Sequence, residues 1–271
     1  MVVLPHWMIA LPGESGEDAG MERDSGLSLG GDRFPRTRWS AIVAARSENA
    51  AERDCALETI IAAYWKPAYK YIRLKWHKSH ADAADLTQGF FTKAIEKNFF
   101  HDYNPAKAKF RTFLCACLDG FVANEEKAAH RLKRGGASQI LSLDFQSAEG
   151  EFQQLEIPVA ESPDAYFEKE WVRSLFSLAL EALRAELEAG GKGIHFQLFE
   201  LYYLGAEDES EISYAGLAAR FCITTAKVTN YLALARREFR RILLAKLREL
   251  TATEEEYRRE VRALFGHNGQ D

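Results

Sequence analysis

The stretch FRTFLCACLDGFVANEEKAAHRLKRGG, residues 110–136, decides how the chain is read, because it joins a helical apolar rhythm, a cysteine pair and a basic tail. On a helix at about 100° per residue, Leu114, Leu118, Phe121, Val122, Ala129 and Leu132 gather on roughly a third of the circumference. Asn124, Lys127, His130, Arg131 and Arg134 fall mainly on the other sides. Cys115 and Cys117 are two positions apart and point about 200° from each other on a helix. They cannot share one metal while the segment stays helical. From 107 to 134 seven basic residues stand against three acidic ones, in a chain whose net charge is −5. Any nucleic-acid partner is therefore met by local patches, not by a global field. A solvated charge run is the ordinary explanation of such a segment; the interleaved Phe110, Phe113 and Phe121 favour nucleic acid.

The bulk properties narrow the class. With 271 residues and 47% hydrophobic side chains, the chain can bury substantial cores and is not disordered overall. Seven prolines and no sustained β-branched alternation point to helix nearly throughout. Four cysteines (Cys55, Cys115, Cys117, Cys222) are too few and too scattered for a disulfide scaffold, so free thiols and a cytoplasmic location are expected. No apolar run approaches the roughly 18 residues of a membrane span, and no membrane insertion is expected. The opening MVVLPHWMIALPGES lacks a basic flank and is broken by Pro5 and Pro12, unlike a signal peptide. His101 and His130 have no complementary Cys or His spacing, so neither a metal nor a cofactor is expected.

Outward from the opening stretch, the pattern divides the chain. Residues 1–36 mix Gly, Ser, Asp and Glu without periodicity and read as a disordered tail. Apolar three- and four-residue spacing then runs through 37–135 and stops at Gly135-Gly136. Residues 136–163, rich in Ser, Gln and Glu and interrupted by Pro158 and Pro163, read as a flexible linker. A second helical block covers 164–250, with stripes ended by Gly190-Gly191 and Gly205. The extension 251–271 contains TEEEYRREVRALFG, which suits one amphipathic helix packed on, or regulating, the second block. The expected fold is all-α: two helical domains on a flexible linker, the second containing a helix-turn-helix.

That motif is SYAGLAARFCITTAKVTNYLALARREFRRILL, 213–244. Ser213 is placed to cap a helix burying Tyr214, Leu217, Ala218 and Phe221; after a turn at Cys222-Ile223, Thr224 is placed to cap the next. With Val228, Leu232, Ala235 and Phe239 inward, Thr225, Thr229, Asn230, Arg236 and Arg237 point away from the core. Small polar side chains near a helix N-terminus suit base edges, and arginines further along suit phosphates. A plain helical hairpin with a solvated face is the alternative.

With these segments assembled, the chain resembles bacterial RNA polymerase sigma factors of the extracytoplasmic function type over about 37–250. The resemblance rests on TRW at 37–39, AYWKPAYKYIR at 63–73, DAADLTQGFFTKAIEK at 82–97, KFRTFLCACLDGFVANEEKAAHRLKRGG at 109–136, YAGLAARFCITTAKV at 214–228 and REFRRILL at 237–244. It implies a non-enzymatic subunit that binds core RNA polymerase, recognises and melts promoter DNA and directs initiation. Asp82, Asp85, Leu86, Gln88 and Phe91 would dock on the clamp helices of the polymerase largest subunit, and the flap of the core enzyme would be a further contact. Lys107, Lys109, Phe110, Arg111, Asn124, Lys127, His130, Arg131, Lys133 and Arg134 would hold and melt the −10 element. Thr225, Lys227, Thr229, Asn230, Arg236 and Arg237 would read the −35 element. An anti-sigma factor is a further candidate partner.

The chain departs from the family pattern at Asp119-Gly120, where relatives often carry a basic pair, and at Thr229, Tyr231, Ala233 and Leu234, where they usually carry Lys, Arg or His. An Asp facing DNA would repel phosphate, and a helical Gly costs about 1 kcal/mol relative to Ala. These departures favour the alternative of a free-standing helix-turn-helix regulator, or a sigma-like adaptor without promoter melting.

Overall fold

The computed structural model describes residues 40–129, 142–154, 161–205 and 213–266, and every regular element among them is helical. In chain order these are α1 (Ala41–Ala44), α2 (Ala50–Lys75), α3 (His80–Lys97), a 3₁₀ turn (Phe99–Asp102), α4 (Phe110–Ala129) and α5 (Phe145–Gln153). There follow α6 (Pro163–Ala189), α7 (Gly193–Leu204), α8 (Tyr214–Arg220), α9 (Thr225–Glu249) and α10 (Glu254–Phe265). Side-chain caps begin most of them. Asn49 accepts from the Ala51 and Glu52 amides at α2, Ser79 from Asp82 at α3, and Ser162 from Ala165 at α6, where Pro163 fills the first turn. No helix among the described residues is long and apolar enough to cross a membrane.

The centre of the molecule is α2. From Pro67 to Ile72 every side chain is buried, because α3, α5 and α6 all pack around this helix. Pro67 lies inside it without ending it. Encirclement explains why α2 buries three tyrosines and one lysine where a one-sided helix would show an apolar stripe.

The second organiser is α6, 27 residues long, or about 40 Å at the helical rise. Its N-terminal half packs on α2: Phe167 and Trp171 stack on Tyr64 with centroids 6.5 and 6.3 Å apart, and Phe167 meets Tyr71 edge-on at 5.6 Å. Its C-terminal half supports α7 and α9, where Phe176 and Phe199 close on Phe239. One continuous core therefore runs through both blocks that the sequence divides at 136–163.

Within the expected linker, 136–163, the described residues are 142–154 and 161–163. Residues 145–153 form α5, docked on α2 by Phe145 against Trp65 and Tyr69 and by a polar seam. Arg73 clamps Glu149 with two hydrogen bonds (3.0 and 2.7 Å), and Tyr69 donates to the same carboxylate at 2.5 Å. Glu151 pairs with Lys66 and Lys70, and Lys70 reaches Glu170 of α6 at 2.6 Å. Lys70 and Glu170 are each 1% exposed. The Glu-rich composition that reads as solvated linker is spent on basic residues of α2.

Candidate nucleic-acid interface

Three surfaces contain the residues expected to contact DNA or polymerase. The first surrounds the N-terminus of α4. Lys107 is exposed, while Lys109 pairs with Glu260 of α10 at 2.9 Å. Phe110 is 1% exposed, walled in by Tyr64, Phe100 and Tyr103 at 5.1–5.5 Å. Its ring belongs to the core and offers no stacking platform in this conformation. Arg111, 3% exposed, donates from Nε to Glu168 (2.7 Å) and from a terminal nitrogen to Glu260 (2.9 Å), and its guanidinium lies 3.8 Å from the Trp171 ring centroid.

Burial opposes a charge at Arg111. The Glu168 hydrogen bond and the Glu168 and Glu260 carboxylates outweigh it and raise the guanidinium's pKa. Glu260 shows the mirror image: burial pushes its pKa up, but Arg111 and Lys109 hold it below the ordinary carboxylate value. Along α4, Asn124 and Lys127 are exposed. His130, Arg131, Lys133 and Arg134 lie outside the described residues, as do the tail 1–36 and residues 267–271 of the extension.

Asp119 is not turned outward as a bare charge. It accepts from Tyr71 Oη (3.2 Å), Lys75 Nζ (2.7 Å) and Trp76 Nε1 (3.0 Å), pinning α4 to the end of α2. Gly120 is exposed on the helix, and a Cβ there would meet nothing within 4 Å among the described residues, so none of them requires glycine. The flanking cysteines are packed: burial raises the Cys115 thiol, and burial followed by the Asp102 charge pushes Cys117 up to about 11. Both are protonated at neutral pH, which removes the nucleophilic and ligating form. Among the described residues no three His, Cys, Asp or Glu side chains gather as a metal site.

The second surface is the open side of α3. Asp82 and Asp85 are exposed, Leu86 and Gln88 half-buried; Asp82, Asp85 and Leu86 border a groove toward α4 of about 600 Å³, also lined by Lys78, Lys93 and Phe121. Asp82 is held by Ser79, which donates to its carboxylate at 2.7 Å. Phe91 is fully buried against Phe90, so it supports the face from beneath and takes no part in it.

The third is the α8–α9 pair. Ser213 caps α8 at the Gly216 amide and Thr224 caps α9 at the Lys227 amide, where the sequence places them. The turn between them reverses through Cys222 in the left-handed region, φ 53°. Val228, Leu232, Ala235 and Phe239 are buried, leaving Thr225, Lys227, Thr229, Asn230 and Arg237 exposed. Arg237 touches Glu238 at 3.5 Å. Arg236 is half-buried beside Tyr203, whose phenol burial pushes up to about 12. Tyr231 stacks on His195 at 4.0 Å and so belongs to the packing of α7. Burial lowers the His195 pKa, keeping that ring neutral at physiological pH.

Sequence reasoning did not find Glu168, Trp171 and Glu260. The one available signal was the i, i+4 series Glu256, Glu260, Leu264, which places a carboxylate in the middle of the buried stripe of α10. Comparison of the chain with models of protein families, with curated proteins and with solved structures finds no match.

Proposed function

We propose that the chain is a promoter-specificity subunit of bacterial RNA polymerase: it binds the core enzyme through the α3 face, contacts promoter DNA and directs initiation without chemistry of its own. In this reading α1–α4 form the polymerase- and −10-binding unit, α8–α9 act as a helix-turn-helix on the −35 element, and the protein works in the cytoplasm. The observation that carries it is the exposed row Thr225, Lys227, Thr229 and Asn230 on the first turns of α9, behind a capped tight turn. Such a row can enter a major groove while the buried face stays packed. The order of sequence motifs supports the same reading.

The test is reconstitution. Purified chain should co-elute with core polymerase and support initiation at a promoter found by mapping transcription starts after overexpression. Absence of both core binding and initiation removes the reading.

A specific observation favours a second reading, a DNA-binding regulator or sigma-like adaptor that does not melt promoters. Phe110 and Arg111, expected on the melted strand, are both enclosed. Such a protein binds duplex DNA without polymerase, and core pull-down separates the two.

A further inference from the structure

The extension helix α10 lies outside the sigma-like segment, yet it meets cations of both units. Glu260 divides its carboxylate between Lys109 (2.9 Å) and Arg111 (2.9 Å). At the other side, Arg240 of α9 lies 4.8 Å from the Phe265 ring, while Arg248 pairs with Glu254 at 2.8 Å and lies 4.2 Å from the Tyr257 ring. The buried residues of α10 are Glu256, Glu260, Leu264 and Phe265. Glu256 has a local duty, accepting from the Ala252 amide at 2.8 Å at the start of its own helix. Glu260 has none; both its partners come from the start of α4, and Arg111 is 149 residues away.

A pair of apolar side chains would serve a permanent helix contact at least as well as a buried ion pair, whose charges must be desolvated. What the carboxylate adds is chemical identity. It presents two anionic oxygens to a lysine and an arginine, as a phosphate does. We propose that α10 is an intramolecular competitor of nucleic acid: Glu260, with Glu168 as a second partner of Arg111, occupies Lys109 and Arg111 and holds the chain closed until α10 is displaced. This rests on the reading of the α4 segment as DNA-contacting. It turns the enclosed Arg111 from an objection to that reading into its resting state.

The experiment uses the full chain and a fluorescent single-stranded oligonucleotide. Glu260→Gln keeps the shape and removes the charge. It should bind about tenfold more tightly, an effect of the size of one strong charge pair. Its affinity should also fall more steeply with salt, by about 0.7 in the logarithmic slope for each phosphate newly engaged. Lys109→Ala in the Glu260→Gln background should erase the gain. In the unaltered protein, added oligonucleotide should strip hydrogen-exchange protection from residues 254–265. That measurement decides the matter even if the variant folds poorly.

Unchanged affinity and slope in a folded Glu260→Gln chain overturns the proposal. So does an α10 that stays protected when DNA is bound. If the unaltered chain binds core polymerase and DNA while these results hold, only the competitor role is lost. If neither chain takes up nucleic acid, with or without polymerase, the promoter-binding reading falls and the competitor role with it.

Discussion

The N-termini of α4 and α9 carry similar chemistry and meet opposite fates. Lys109 and Arg111 are met by carboxylates and an indole from α6 and α10, whereas Lys227 and its polar neighbours face outward. The difference does not lie in local composition. Residues far along the chain determine whether a cation is available: Arg111 has Glu168, Trp171 and Glu260 within reach, whereas Lys227 is exposed at the capped start of its own helix. A basic segment thus supplies charge, and the tertiary fold decides whether it is spent internally.

The largest effects should come from enclosed charges. Lys70 and Glu170 form the most buried ion pair, with Glu151 completing the lysine's partners. Lys70→Ala removes the buried partner of the Glu170 carboxylate, leaving it to the more exposed Arg173, and should cost about 3 kcal/mol of stability. Chemical denaturation of the two chains measures it. A loss under about 1 kcal/mol would mean that the α2–α6 contact is not held by charge, and the contrast between the regions would collapse.

Acid should act on the same seams. Glu149 is held down to about 2: burial opposes its charge, but hydrogen bonds from Arg73, Tyr69 and Gln153 outweigh burial. Glu151 and Glu260 are lowered as well, with burial again opposing and Lys66, Lys70, Lys109 and Arg111 prevailing. For a carboxylate lowered on folding, the unfolded chain binds more protons in the intervening window. These contacts therefore contribute fully above the ordinary carboxylate pKa and are lost as pH falls toward about 2 at Glu149. Unfolding midpoints followed from pH 6 downward should drop steadily, and Glu149→Gln should flatten the lower part of that curve. An unchanged slope would show that α5 is not anchored through this carboxylate.

What was legible in the sequence follows the same division. Caps at Ser213 and Thr224, the Gly190-Gly191 stop and the inward stripe Val228, Leu232, Ala235 and Phe239 are set within a few residues, and spacing reveals them. Helix α5 was missed because Ser, Gln and Glu look solvated until Arg73, Lys66 and Lys70, about 80 residues earlier, are brought to them. Phe110 shows the limit in another way. Its position on an aromatic, basic segment fits stacking on a base, but Tyr64, Phe100 and Tyr103 already occupy its faces. Asp119 looked like a phosphate repellent only while Lys75 and Trp76 were out of view.

A smaller test bears on Gly120, the residue next to that aspartate. The position is helical and exposed, and a Cβ would meet nothing within 4 Å among the described residues. Gly120→Ala should therefore stabilise the chain by about 1 kcal/mol through helix propensity and a less flexible unfolded state. The gain should appear in the denaturation midpoint without a change in its slope. A loss would reveal a neighbour that needs the bare backbone.

The smallest effect on stability belongs to the open region, and it is the most telling for function. Lys227→Ala removes an exposed side chain whose backbone amide, not its ammonium, serves the Thr224 cap. Stability should move by no more than about 0.5 kcal/mol. If α9 meets DNA as proposed, affinity for duplex should fall for all sequences alike, and the salt slope should shrink by about 0.9 for the one phosphate lost. The same substitution at Lys109 should leave affinity unchanged for a short duplex that only α9 contacts and that leaves α10 in place, because that ammonium then stays paired with Glu260. Measured side by side, the two alanines ask whether the open and closed cations differ in availability or only in position. Equal losses would show that Lys109 reaches DNA despite its carboxylate partner.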